Sequence, residues 1–499
     1  MAGKRIVVIG AGMGGLTAAL LLAAHGCDVT LVEKAETPGG KMRQVVVGHR
    51  PLDAGPTVLT MRWVFDAILA EARASLDDHV SLSPAPLLAR HAWSEEERLD
   101  LFADREASQD AISAFAGPAE GRAYRAFCVR SRAIHDALKD SFMACERPSP
   151  VGLVARAGVS GLGALWATSP FSTLWDALGT CFRDQRLRQL FARYATYCGS
   201  SPYAAPATLM LVAHVEQEGV WLVAGGMHAL AAALARLALE KGAALRYGEA
   251  VSEIMVAGGR AVGVRLAHGE AIFADAVISN ADANAIATGR FGRDAMAAVA
   301  PTRRRERSLS AVTWSAVARS EGFPLERHNV FFSRDYRAEF DAIFQRGRLP
   351  AEPTIYVCAQ DRGGGEPAPD GPERLLILVN APPAGDGAPM PATEIETCLQ
   401  ASLSRLEQCG LRLEVSRERV LATQPADWER LFPATGGALY GRATHGAMAS
   451  FRRPGARARL PGLYLTGGSV HPGPGVPMAA LSGMIAAQAA MADLSSTSR

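Results

Sequence analysis

Five residues near the amino terminus have the types and spacing of a phosphate-binding device. Gly10, Gly12, Gly14 and Gly15 stand in the run GAGMGG, and Glu33 follows 18 residues beyond Gly15. Gly10 permits a tight turn, Gly12 lets backbone approach a pyrophosphate, and Gly15 lets a helix pack closely on a strand. A carboxylate at Glu33 accepts hydrogen bonds from ribose hydroxyls and repels a 2′-phosphate, which disfavours NADP. A second pair, Gly39-Gly40, is followed by the basic residues Lys41 and Arg43. That loop suits an extended dinucleotide such as FAD, whereas a simple NAD domain would continue with another helix and strand.

These residues need elements to hold them. Residues 4–9, KRIVVI, form a β-branched run typical of a buried parallel strand. LTAALLLAAHG has helix-forming composition and stops at Gly26, and CDVTLVEK supplies a second strand that carries Glu33. The helix amino terminus between them offers free N–H groups and partial positive charge to phosphates. Further along, Gly225-Gly226 precede an alanine-rich helix over 227–241. Residues 243–279 then alternate around turn signals at Gly258-Gly259 and His268-Gly269, which predicts strands and hairpins. Near the end, LPGLYLTGG reads as a buried strand, and SVHPGPGVP as a turn into a long helix whose amino terminus would face a flavin ring.

Taken together, these segments resemble the carotenoid (phytoene desaturase-like) branch of the flavin amine oxidase superfamily. IGAGMGGLTAA, VEKAETPGGKM and DAGPTVLT are similar to that family's first flavin segments. GGMHALAAALARLALEKGAALRYGEAVSEI and AVISNADAN are similar to its middle ones, and GLYLTGGSVHPGPGVPMAALSGMIAA to its carboxyl-terminal signature. The resemblance implies an α/β fold: a Rossmann-like FAD-binding domain, a mixed α+β substrate domain and a helical membrane-facing region. It implies a discontinuous cofactor domain of residues 1–75, 222–290 and 455–499, with 76–221 and 291–454 binding substrate. FAD contacts are expected at Gly10, Gly12, Gly14, Gly15, Glu33, Gly40, Lys41, Thr57, Val58, Val251, Asn280, Gly468, Gly475 and Val476. Val251 would meet the adenine end through its backbone, although a plain core valine reads the same way.

The continuation MRWVF after DAGPTVLT resembles the bacterial 1-hydroxycarotenoid 3,4-desaturases, also called methoxyneurosporene dehydrogenases. Arg62 and Trp63 could equally begin an ordinary helix. The implied reaction is FAD-dependent desaturation of a lipid-soluble carotenoid, with quinone or oxygen as electron acceptor. Phytoene desaturase, acting on the unhydroxylated polyene, is the alternative within the family. A non-catalytic carotenoid-binding protein is the alternative outside it. An amine oxidase would show an aromatic pair framing the flavin, and LTGGSVHPGPGVP offers none. No catalytic base stands out: His471 lies nearest the expected flavin contacts, but a turn histidine with a structural hydrogen bond is the commoner role.

Composition sets the outer limits. A chain of 499 residues exceeds one ordinary core and calls for at least two domains. A net charge of +2 gives no reason to expect nucleic acid. The eight cysteines form no CxxC pair, and no metal-ligand spacing occurs. Reduced, mostly buried thiols are expected, without structural zinc, in a cytoplasmic protein peripherally attached to the membrane. Neither apolar stretch, 6–32 or 157–175, qualifies as a span of about 20 strongly apolar residues. Residues 148–182 carry only Arg156 and Asp176 as charges, so they read as a buried helical region or as a patch dipping into one leaflet. The basic residues Arg183, Arg186, Arg188 and Arg193 beyond them would then meet anionic headgroups.

Overall fold

The computed structural model describes residues 3–152, 171–363 and 369–496. The strand Arg5–Ile9 forms where its β-branched residues predict it, and everything after Arg5 is buried. It is the middle strand of a five-stranded parallel sheet. Asp28–Val32 and then Ala244–Arg246 lie on one side, Ala276–Ser279 and then Leu463–Leu465 on the other. Parallel strands covered on both faces need continuous apolar runs, which these short segments supply.

The helix Met13–Ala24 is buried along its length from Met13 to Ala23. An all-round apolar helix requires cover on every side, and the helices Met227–Glu240 and Val476–Ser496 pack against it to provide it. A side chain at Gly483 would overlap the carbonyl oxygen of Gly14, so the first and last helices cross in direct backbone contact. A three-stranded antiparallel meander, Val251–Ala257, Arg260–Leu266 and Ala271–Phe273, turns at the two predicted glycine signals.

A second, mixed sheet is built around Ser310–Gly322, which pairs along nine residues with Glu373–Ala381. Ile355–Ala359, His328–Phe331, Leu87–Ala92 and Arg98–Phe102 extend it in that order. The pairing of His328–Phe331 with Leu87–Ala92 is parallel; the others are antiparallel. The helices Pro118–Leu138, Leu174–Cys181, Gln185–Ala192 and Leu211–Gln217 share an apolar core with this sheet, in which Phe127, Phe182 and Phe191 meet at ring separations of 4.6–5.3 Å.

Among the described residues no helix is long and apolar enough to cross a membrane. Most of the expected membrane-facing region, residues 153–170, lies outside the described residues. The eight cysteines are free thiols, five of them buried.

The expected headgroup-binding row of arginines does not form. Arg186 pairs with Asp184 and Glu97, and Arg188 stacks 4.1 Å from the Trp175 ring. Only Arg183 is exposed. The physical reason is the amphipathic helix Gln185–Ala192, which buries Leu187, Leu190 and Phe191 and ends just before Arg193, turning that side chain inward.

Candidate active site

A cavity of about 1170 Å³ is walled by residues of both sheets. Sites that take one drug-sized ligand are roughly 300–1,000 Å³, so this volume suits a cofactor and a substrate together. Thirteen of the fourteen residues named from the sequence line it; Gly15 stands behind. A side chain at Gly15 would overlap the Gly10 carbonyl, which is the close helix–strand approach its position demands.

The glycine loop opens directly into the cavity. Gly10 has φ +94° and donates to the Val32 carbonyl, fixing the turn at the sheet edge. Gly12 caps the first helix without any side-chain partner, so that helix end presents free N–H groups. Asn280, at the end of Ala276–Ser279, sits where a side chain on Gly12 would be. Glu33 is buried and accepts from the backbone N–H groups of Ala11 and Ala35, at 2.6 and 2.9 Å. Gly39 bridges to the same loop, and Gly40 packs against the Gly12 Cα.

A second helix end meets the cavity from the far side of the sequence. Gly475, at φ +117°, turns the chain into Val476–Ser496, whose first residues line the wall with Gly467 and Gly468. Ser482 Oγ donates to the Ala479 carbonyl, accepts from Gly467 N and meets Thr466 Oγ1 at 2.8 Å. Two amino-terminal helix dipoles therefore converge on one space, a field that stabilises anionic groups. Lys41 is held by the Leu439 carbonyl at 2.5 Å and lies 5.4 Å from the Phe432 ring. Burial pushes its ammonium pKa down, and the neighbouring Asp282 opposes that. Burial likewise raises Asp282, opposed by Lys41. Arg43 takes no part: it stacks over Trp428 outside the wall.

The remaining wall is apolar with one polar cluster. Leu138, Phe142, Met143, Leu209, Val212 and Leu376 are among its apolar residues. The cluster centres on Arg193, which donates to Tyr197 Oη at 3.0 Å and lies 5.3 Å from the Tyr197 and Tyr356 rings. Tyr197 in turn hydrogen-bonds Glu216, which also accepts from Tyr194 Oη at 2.7 Å. Burial raises the Glu216 carboxyl. Tyr356 Oη is shared between Thr57 Oγ1 at 2.6 Å and His328 Nδ1 at 2.7 Å. Thr57 thus ties the first flavin-like segment to the second sheet.

Among the described residues no histidine lines the cavity. His471 is buried, donates from Nε2 to the Phe142 carbonyl at 2.9 Å, and is pushed down to about 4 by burial. It is a neutral turn histidine. Arg62 and Trp63 also stand off the cavity: Arg62 pairs with Asp66 and Asp77, and Lys139 covers the Trp63 ring at 4.5 Å. Among the described residues two groups have metal-ligating residue types, His135 with Asp136 and His214, and Glu249 with His268 and Glu270. The first is occupied in part by carboxylate contacts, His135 to Asp136 and His214 to Glu218, and the second by Arg246.

Several wall residues gave no signal in the sequence. Arg193 and Tyr197 sit four apart in one short helical turn, but Glu216 and Tyr356 come from separate segments, and only the fold brings the four together. Asp53, which stands behind the wall and not on it, could have been found, because it opens the DAGPTVLT segment. It accepts from Met227 N and exchanges backbone hydrogen bonds with the Gln360 amide at 3.0 and 2.8 Å. Arg453 is pushed down to about 10 by burial and donates to the carbonyls of Tyr440, Arg442 and Gly468.

Comparison with known proteins agrees with this geometry. The family described as flavin containing amine oxidoreductase matches residues 13–491. Hydroxyneurosporene desaturase of Rubrivivax gelatinosus is 57% identical over 499 residues, covering 99% of this chain and 94% of that one. The protein of the same name from Cereibacter sphaeroides is 48% identical, with 99% of each chain covered. Among solved structures, an oxidoreductase from Methanosarcina mazei superposes with a TM-score of 0.62 at 19% identity, covering 96% of this chain and 99% of that one. A redesigned putrescine oxidase superposes at 0.60 and 14%, with 99% of each covered. At such identities these two structures speak for the fold.

Proposed function

The chain belongs to the flavin-containing amine oxidoreductase family, and from that premise we propose that it desaturates a carotenoid. The reaction is the introduction of the 3,4 double bond into a 1-hydroxycarotenoid during carotenoid biosynthesis. The observation that carries this reading is a cavity that joins the glycine loop to an apolar wall. Similarity along the full length to hydroxyneurosporene desaturases supports the substrate class.

FAD fits the residues present. Glu33 and Val251 would take the adenosine end, Gly10, Gly12 and Gly14 the pyrophosphate, and Gly468, Gly475 and Val476 the ring, with Gly40, Lys41, Thr57, Val58 and Asn280 between. FAD held there would supply the hydride acceptor that an unactivated hydrocarbon needs, while the neighbouring carbon gives up a proton as the double bond forms. The chain's own task is to position the polyene and keep water out, which its leucine, valine and phenylalanine wall does. The helix end at Val476 favours negative charge nearby. Among the described residues no histidine lines the wall, so none of them offers a neutral imidazole as base.

In this reading the segments 1–75, 222–290 and 455–499 form the cofactor domain and the remainder the substrate domain. The protein is peripherally attached to the cytoplasmic membrane surface. Exposed Val151 and Phe171 support this, since Phe171 is 78% exposed and also lines the cavity, where a lipid-borne substrate could enter. A quinone or oxygen takes the electrons away.

Anaerobic mixing tests the reading. Oxidised holoprotein given 1-hydroxyneurosporene in liposomes should lose its flavin absorbance near 450 nm in one turnover. A flavin that stays oxidised would sink the proposal. Adding a quinone or air in turn then identifies the acceptor by which one restores the band.

A further inference from the structure

We propose that Arg193, held by Tyr197, forms the subsite for the oxygen-bearing end group of the substrate, beside the reacting end of the cavity. The inference rests on reading the chain as a desaturase of hydroxylated carotenoids, and deepens it by naming what recognises the hydroxyl.

Arg193 is a cation in an apolar wall. Among the described residues its guanidinium donates to one side chain, Tyr197, and forms no ion pair; Glu216, bonded to the same phenol, favours the charge from further off. A buried charge without a direct counter-ion is costly unless it serves a ligand. Guanidinium N–H groups only donate. A hydroxyl oxygen and a methoxy oxygen both accept, so one arginine serves both end groups. A hydrocarbon end group offers no acceptor, and would displace water from N–H groups it cannot satisfy. Sites built this way discriminate strongly against the analogue that lacks the oxygen.

The position fits the chemistry. The oxygen on C1 is only a few bonds from the C3–C4 bond to be oxidised, so its subsite must adjoin the flavin and cannot lie at the distant end of a tunnel. Arg193 lies 5.3 Å from the Tyr356 ring, and Tyr356 Oη is 2.6 Å from Thr57 in the first flavin-like segment. Tyr336 and Tyr440 also line the cavity, both near enough to feel the Arg193 charge.

The test compares holoenzyme and its Arg193→Leu variant on 1-hydroxyneurosporene and on neurosporene, each in liposomes. The ratio of kcat/KM for the hydroxylated over the unhydroxylated substrate should fall roughly 10- to 100-fold, the worth of hydrogen bonds to a charged donor. Arg193→Lys should recover part of it. Quenching of tryptophan fluorescence by each polyene should report the same loss of preference in binding. An unchanged ratio in Arg193→Leu, with wild type active on the hydroxylated substrate, overturns the subsite alone. A wild type inactive on both overturns the desaturase reading and the subsite with it. Should Arg193→Leu fail to retain flavin, Tyr197→Phe frees the guanidinium and must still lower the ratio; an unchanged ratio there overturns the proposal.

Discussion

The two halves of the cavity are made of different material. The half expected to take the cofactor is mostly backbone: glycine turns at Gly10, Gly12, Gly467 and Gly475, and the starts of two helices. The half expected to take the substrate is mostly side chain, with a polar cluster at Arg193, Tyr197, Glu216 and Tyr356 set in an apolar wall. Backbone recognition depends on where atoms can approach, so it tolerates almost no added volume. Side-chain recognition depends on chemical type, so it can be changed without losing the fold. On the proposed reading, the first half sets what the protein can oxidise with, and the second sets what it oxidises.

The sharpest way to break this contrast is to add a single methyl group to each half. Gly15→Ala places a carbon into the Gly10 carbonyl, where neither backbone can yield. We expect loss of flavin from purified protein, read as the ratio of absorbance at 450 nm to that at 280 nm. The same single carbon added in the other half, by Val212→Ile on the apolar wall, should leave that ratio intact. Equal flavin loss in both would show that the halves do not differ as described.

A smaller effect is expected from Glu33→Gln, which keeps size and removes the charge. The carboxylate accepts two backbone N–H groups, and one hydrogen bond of that kind is worth roughly 1.5–3 kcal/mol. The Kd for FAD should rise about 10- to 100-fold, with substrate preference unaltered.

Tyr356→Phe tests the seam between the halves. It strips Thr57 and His328 of a shared partner, and leaving buried polar groups unpaired costs about 1–3 kcal/mol. Thermal unfolding should shift down accordingly, while flavin affinity changes less than in Glu33→Gln. A larger flavin loss than in Glu33→Gln would mean that Thr57 depends on Tyr356 for its place.

How much of this could be read from the sequence follows the same division. The glycine turns, Glu33 and the helix after Gly475 are local patterns, each fixed by neighbours within a few residues, and they were legible. So was the meander turning at Gly258 and His268. The polar cluster was not, because Arg193 reaches Tyr356 only after a mixed sheet and a helix layer have folded between them. Arg193 even read as a surface charge, since it follows three other arginines along the chain. What moved it inward is the buried face of Gln185–Ala192, whose pattern is visible but whose phase against Arg193 is not.

The mildest prediction concerns acid. Burial holds His91 and His328 down to about 3, and His445 and His471 to about 4. Each is therefore neutral when folded and binds a proton more readily when unfolded. The unfolded chain takes up more protons below pH 6.5, so stability should fall as pH drops from there towards 3. Above pH 7 these groups contribute no slope. Three of the four, His91, His328 and His445, lie in the segments expected to form the substrate domain, and His328→Gln should flatten the acid limb of melting temperature against pH. An unchanged limb would mean that His328 is charged or exposed in the native state.

The most direct measurement of the central claim is product analysis after FAD-loaded protein meets liposomes carrying 1-hydroxyneurosporene or phytoene. The account predicts a red-shifted product, longer by one conjugated double bond, from the hydroxylated substrate and none from phytoene. Conversion of phytoene, or of neither substrate with flavin bound, would contradict it.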